Sequence, residues 1–257
     1  MTLAELAERL DRAALTAAAV AQPADLEVGD AYLVQGLSID RRRRRGERVV
    51  GIKMGFTSRE KMRQMGIEET IWGRLTDAMR IPSGGTLPMA RHIHPRAEPE
   101  IAFLLGRAPD PDEPAASLAS AVEAVAPAIE IIDSRYEDFR FDLAGVIADN
   151  ASSAAFVLGE WRPFSTGLAI AGLDVALELD GRVAESGSTA AILGDPLLAL
   201  AAGVRLAARY GHPLTAGDVV LAGAATAAVP LREGVRVTAR VEALGPVSFR
   251  AVAGDGS

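Results

Sequence analysis

The chain of 257 residues sets 27 Lys and Arg against 34 Asp and Glu, and a net charge of −7 disfavours nucleic acid as a partner. Its 49% hydrophobic content suffices for one large core or two modest ones, while charged residues, Gly and Pro interrupt each apolar run and predict no membrane span. The lack of cysteine excludes disulfides and thiolate metal sites, and with an acidic N-terminus unlike a signal peptide it predicts a cytoplasmic protein.

Leu3, Leu6, Ala7, Leu10 and Ala14 recur at helical spacing and predict an amphipathic helix over 3–20, ended by Gln22-Pro23. A second helix is expected from Val28 or Asp30 into the arginine run 41–45, closed by Gly46. That run suits the negative end of the helix dipole and reads as a solvated last turn rather than a nucleic-acid patch. Residues 49–56 predict a strand, then a short helix N-capped by Thr57 or Ser58. Strands over 97–106 and 126–132 bracket a loop at 109–114 and a helix over 115–125. A strand at 153–158 follows, then a hairpin of 173–179 and 183–186 turning at Asp180-Gly181. A helix over 196–209 starts at Pro196, and strands at 219–222, 236–243 and 247–252 end the chain. The pattern predicts an α+β fold: a helical N-terminal region over 1–48 and a mixed β-sheet domain over 49–257.

The chemistry gathers around His94-Pro95-Arg96-Ala97-Glu98-Pro99-Glu100-Ile101. The period of two puts Glu98 and Glu100 on one strand face, and two buried anions that close call for a cation between them. Taken alone, the pair fits a solvated strand edge equally well. Glu130, in a second apolar run, adds a third carboxylate, and three carboxylates without a thiolate favour Mg²⁺ or Mn²⁺. His92-x-His94-x₃-Glu98 comes near a cupin metal motif, but the flanking glycines are displaced and no second histidine motif follows. Lys53 and Lys61 are the only lysines. Within an apolar segment, Lys53 reads either as a compact charge whose pKa burial can lower, or as a snorkelling lysine at a strand edge.

Several blocks carry a family resemblance. They are Gly51-Ile52-Lys53-Met54-Gly55-Phe56-Thr57-Ser58, Lys61-Met62-Arg63-Gln64-Met65-Gly66, the glutamate motif, and Glu130-Ile131-Ile132-Asp133-Ser134-Arg135-Tyr136. Ala148-Asp149-Asn150-Ala151-Ser152-Ser153, Leu193-Gly194-Asp195-Pro196 and Leu244-Gly245-Pro246 continue the series. In order, and over nearly the whole chain, these resemble the 2-keto-4-pentenoate hydratase and 4-oxalocrotonate decarboxylase family of the wider fumarylacetoacetase-like fold. The stretches 133–143 and 223–229 look like its decarboxylase branch.

The resemblance implies a divalent ion, Mg²⁺ or Mn²⁺, on Glu98, Glu100 and Glu130. It implies that Lys53 neutralises substrate charge or relays a proton, and that Asp77 faces the site and orients Lys53. Ser152 would bond the substrate carboxylate, Thr226 would line the pocket, and Arg135 would bind the distal carboxylate. The implied substrate is a 2-oxo dicarboxylate, 2-oxo-3-hexenedioate, decarboxylated during meta-cleavage of aromatic compounds. The sister hydratase enters both as the alternative activity and as an associating partner, and the chain is expected to be a homo-oligomer. Pro99 stands where the family more usually has Ala, and its missing N–H predicts a strand edge or bulge.

Overall fold

Two helices open the chain in the computed structural model, which describes residues 1–58, 62, 69–165 and 167–254. Helix α1 (Leu3–Thr16) starts with a capping box: Glu5 N donates to Thr2 Oγ1 at 3.2 Å, and Thr2 N donates to Glu5 Oε2 at 2.7 Å. It ends at Ala17, which turns left-handed (φ 49°), several residues before Gln22-Pro23. Helix α2 (Val28–Arg44) carries the arginine run, but the run is not simply solvated. Arg41 and Arg45 grip the buried Asp11 of α1 at 3.1 and 2.7 Å, and Arg42 faces Glu47 at 3.5 Å. Burial opposes the Asp11 charge, yet these guanidiniums outweigh it and hold the carboxyl below its usual range.

The strands are β1 (Val49–Gly55), β2 (Ile71–Thr76), β3 (Arg80–Ile81), β4 (Thr86–Pro88), β5 (Arg96–Leu105), β6 (Val122–Ile132) and β7 (Ser153–Leu158). Then come β8 (Arg162–Pro163), β9 (Asp174–Leu179), β10 (Arg182–Ser188), β11 (Val219–Leu221), β12 (Val229–Pro230), β13 (Arg236–Val241) and β14 (Gly245–Val252). One sheet runs β2-β1-β11-β5-β6-β7-β3, with β12 on β5 and β8 on β6; the other runs β10-β9-β13-β14-β4. The first sheet's path begins at β2 and ends at β3, which follow one another in the chain across a single short turn, Asp77–Met79. The sheet is therefore rolled, and Leu75, Met79, Ala102, Ala128, Phe156, Leu158 and Leu221 pack together on its inner face.

Outside the roll, Ile52, Trp72 and Phe103 share one core with Leu6 and Leu10 of α1, Tyr32 and Val34 of α2, and Leu200 and Val204 of the helix Pro196–Arg209. The helical region 1–48 thus packs onto this sheet rather than around a core of its own. Fully buried Gln35 ties it there, donating to the carbonyls of Trp72 and Ile147 at 3.0 Å each. The second sheet covers another part of the roll, with Leu177, Val237 and Phe249 against Ile129, Ile131 and Val157.

Three sequence expectations change. Strand β2 was not foreseen, because it is buried throughout and shows no alternation. The helix expected over 115–125 shrinks to Ala115–Leu118 and a short 3₁₀ turn, since β6 starts at Val122 to pair with Leu105. The stretch Thr189–Arg209 is in fact apolar enough over 21 residues to pass for a membrane span, but half of it is buried inside the fold, as in a core helix. The hairpin turn stands as expected, with Asp180 (φ 49°) and Gly181 (φ 78°) both left-handed. The helix expected after Thr57 or Ser58 lies outside the described residues.

Candidate metal centre

Glu98 and Glu100 leave β5 on the inner face of the roll, and Glu130 stands directly opposite Glu98 on β6. Each of the three offers an oxygen within 4.8 Å of the others. Glu100 is 1% and Glu130 0% exposed, so water does not solvate them. Glu100 Oε2 accepts from Gly223 N at 2.8 Å, while Glu100 Oε1 and Glu130 Oε1 have no hydrogen-bond partner. Buried carboxylate oxygens without donors are costly, and a hard divalent cation is a group that such oxygens fit.

Pro99 stands in the middle of this constellation without a bulge, paired with Ile129. Its carbonyl accepts from Ala225 N at 3.0 Å, so its missing N–H faces the same side, the 222–228 loop, where β11 has ended and β12 has not begun. No ladder bond to β6 is lost. The proline occupies a local edge.

Lys53 reaches the glutamates from β1, where its ladder partners are Gly73 and Leu221. Its Nζ lies 2.9 Å from Glu130 Oε2 and donates to the carbonyl of Ala151 at 3.0 Å. Burial pulls its pKa down, but the charges of Glu130, then Glu98 and Glu100, outweigh burial and hold the ammonium above its ordinary value. The lowering that burial alone predicts is therefore reversed by this surrounding. Glu100 moves well above the carboxylate range, first through burial and then through repulsion by Glu130. Repulsion between these carboxyl groups is what a bound cation would relieve.

The Ala151 carbonyl is aimed by a local device. Asn150, Ala151 and Ser152 are all left-handed (φ 53°, 51° and 57°), an uncommon run for residues that are not glycine. Asn150 holds β2 as a neighbouring strand would: its Oδ1 accepts from Arg74 N at 2.7 Å and its Nδ2 donates to Arg74 O at 2.9 Å. The turn lies so close to β2 that a Cβ on Gly73 would stand 2.4 Å from the Asn150 carbonyl oxygen. Only glycine permits that approach.

The other expected site residues have partners within the protein. Arg135 is 5% exposed, and its guanidinium pairs with the Asp149 carboxylate, the Asp149 carbonyl, and the carbonyls of Asp133 at 2.7 Å and Ser153 at 3.1 Å. All three guanidinium nitrogens thus have partners within the protein. Burial pushes the Asp149 carboxyl up to about 6 against the pull of Arg135. Ser152 is buried with its hydroxyl 3.4 Å from Asp149 Oδ2, so it too faces inward to the scaffold. Asp77 binds Arg48 through its backbone N–H at 2.9 Å and its Nε at 3.0 Å. It lies four residues beyond Gly73, the partner of Lys53, or about 13 Å along the strand direction, too far to orient the lysine. Thr226 is half-buried in the 222–228 loop beside Pro99, its hydroxyl donating to Ala227 O at 3.0 Å. His94 is a strand-end residue, its N–H donating to Asp133 Oδ1 at 2.7 Å.

Replacing Arg135 by Ala is expected to cost about 3–5 kcal/mol of stability in urea denaturation, because it strands the buried Asp149 carboxylate. A loss below about 1 kcal/mol would show that the pair does not hold the turn.

Comparison with known proteins adds a lineage to this geometry. The chain belongs to the fumarylacetoacetate hydrolase family, whose profile, described as fumarylacetoacetate (FAA) hydrolase C-terminal, matches residues 52–252. Over 252 residues, 97% of this chain and 98% of the relative, it is 50% identical to a 4-oxalocrotonate decarboxylase of a Pseudomonas species. It is 36% identical to a 2-keto-4-pentenoate hydratase of Paraburkholderia xenovorans strain LB400, over 87% of this chain and 83% of that one. The solved 4-oxalocrotonate decarboxylase of Pseudomonas putida G7, complexed with magnesium and adipate, superposes with a TM-score of 0.92 at 38% identity, covering 97% of both chains.

Proposed function

We propose that this chain decarboxylates 2-oxo-3-hexenedioate to 2-hydroxypenta-2,4-dienoate with a divalent metal ion, Mg²⁺ or Mn²⁺, on Glu98, Glu100 and Glu130. The observation that carries this reading is the 50% identity, end to end, with a decarboxylase, against 36% with a hydratase. When bound, the ion supplies Lewis acidity at the 2-oxo acid end of the substrate. The bond between C5 and the distal carboxylate breaks, its electrons pass through the C3–C4 double bond to the C2 oxygen, and CO₂ leaves. One proton then completes the enol.

Lys53 is the group of this chain placed to manage that oxygen. Its ammonium is fixed by Glu130 and Ala151, and stabilises negative charge as it develops or delivers the proton. Thr226, on the loop beside Pro99, lines the approach. The inner face below the glutamates is apolar (Ala102, Ala128, Phe156, Leu221), which excludes water and favours departure of neutral CO₂ over retention of a carboxylate.

The product is the substrate class of a hydratase, and a sister hydratase is the natural consumer and a physical partner. A homo-oligomer would use the apolar surface that α2 leaves exposed at Leu33 and Leu37, which are 58% and 38% exposed. A chain without cysteine suits the cytoplasm. The deciding experiment offers 2-oxo-3-hexenedioate and 2-hydroxypenta-2,4-dienoate separately to the Mg²⁺-loaded protein. CO₂ release from the first without consumption of the second is the expected result. Hydration of the dienoate without CO₂ release would make the chain a hydratase.

A further inference from the structure

On the outer side of β2 a cleft of about 890 Å³ opens between α2, the start of β1 and the turn at Gly211. Arg74 lines it, though the residue is only 9% exposed. Its guanidinium lies 4.5 Å over the Trp72 ring, and its Nη1 donates to Gln35 Oε1 at 2.6 Å. Neither partner carries a negative charge. Burial lowers the Arg74 pKa to about 10, with Asp40 opposing only at a distance. An arginine taken out of water without a counter-ion is costly, and one held so beside a large opening is poised for an anion.

The surroundings agree. His212 lines the same cleft, its ring stacked on Trp72 at 5.7 Å, and its buried Nε2 has no hydrogen-bond partner. The carboxylates at the rim are already engaged: Asp40 holds Arg43 at 3.1 Å, and Glu47 accepts from Thr76 Oγ1 at 2.6 Å while facing Arg42 at 3.5 Å. Arg48 is bound to Asp77. Of the four arginines that line the cleft, Arg43 and Arg48 are thus paired, and among the described residues Arg44 and Arg74 are not.

We propose that this cleft binds a small oxyanion of two negative charges, a phosphate or a short dicarboxylate, on Arg74, Arg44 and the His212 imidazole. The site is separate from the glutamate centre. Arg74 and Gly73 are neighbours on β2, so their outward directions point to opposite faces of the sheet, and Gly73 faces Lys53. A planar guanidinium suits either oxyanion, because both accept paired hydrogen bonds.

The chain has two tryptophans, Trp72 and Trp161, so a Trp161→Phe background leaves Trp72 as a reporter directly beneath Arg74. Inorganic phosphate and malonate are titrated separately into the Mg²⁺-loaded protein at constant ionic strength, with chloride as the control. A saturable change in Trp72 emission is expected with at least one dianion and none with chloride. Arg74→Gln should weaken it about tenfold or more, and Arg44→Gln by a smaller factor. Tighter binding of phosphate points to a phosphorylated ligand, and tighter binding of malonate to a carboxylate ligand. No saturable change with either dianion overturns the proposal, as does a change that survives Arg74→Gln in protein with native circular dichroism. Should Arg74→Gln fail to fold, undiminished affinity in Arg44→Gln overturns it.

Discussion

Glu130→Gln is expected to lower metal-dependent turnover by about 10³-fold or more while the protein still folds. Two consequences of one change combine in that figure. Glu130 is one of the three carboxylates proposed to hold the cation, and its Oε2 also lies 2.9 Å from Lys53 Nζ. Losing Lewis-acid assistance costs several kcal/mol of transition-state stabilisation, and each ~1.4 kcal/mol is a factor of ten. Folding without metal should suffer far less, because the substitution also relieves repulsion between Glu130 and the buried Glu100. Circular dichroism should therefore stay native, while the rise in Tm that wild type shows on adding Mg²⁺ should be lost. Full turnover in Glu130→Gln after chelation and readdition of Mg²⁺ would remove this residue from the metal set.

How much of this centre the sequence discloses depends on how each residue acts. Side chains that act by their own chemistry are legible: Glu98 and Glu100 follow from a period of two, and Glu130 from an acid inside an apolar strand. The register that sets Glu98 opposite Glu130 is not legible, since it is a long-range pairing. The groups that aim Lys53 and cap Glu100 are backbone atoms, the Ala151 carbonyl and the Gly223 N–H, which any residue type supplies. Their signal is indirect, in a glycine: Gly223 is left-handed (φ 109°) and presses on Thr57, where a Cβ would lie 2.1 Å from Oγ1. For Arg135, Ser152 and Asp77 the sequence shows the side chain but not its partner. Each has the chemistry of a ligand-binding residue, but Asp149 and Arg48 engage their polar groups, and for Arg135 and Asp77 that partner lies too far along the chain to be read from composition or period.

Substitutions of Lys53 should separate its charge from its position. Lys53→Met removes the ammonium that faces Glu130, and the metal-free protein should lose about 3–5 kcal/mol in urea denaturation. Added Mg²⁺ should recover part of that loss, since it supplies the missing positive charge, yet turnover should stay abolished. Lys53→Arg keeps a charge and should fold nearly as well, but the ammonium is compact and its two partners are set for it: Glu130 Oε2 at 2.9 Å and Ala151 O at 3.0 Å. A planar, longer guanidinium cannot place a donor at the same point between Gly73 and Leu221, the ladder neighbours of this position. A displacement of about 1 Å at a reacting group costs about 10²-fold, so turnover should drop by at least that factor with Mg²⁺ still bound. Near-normal turnover in Lys53→Arg would mean that charge alone suffices, and that the left-handed turn at Ala151 holds the strand rather than the ammonium.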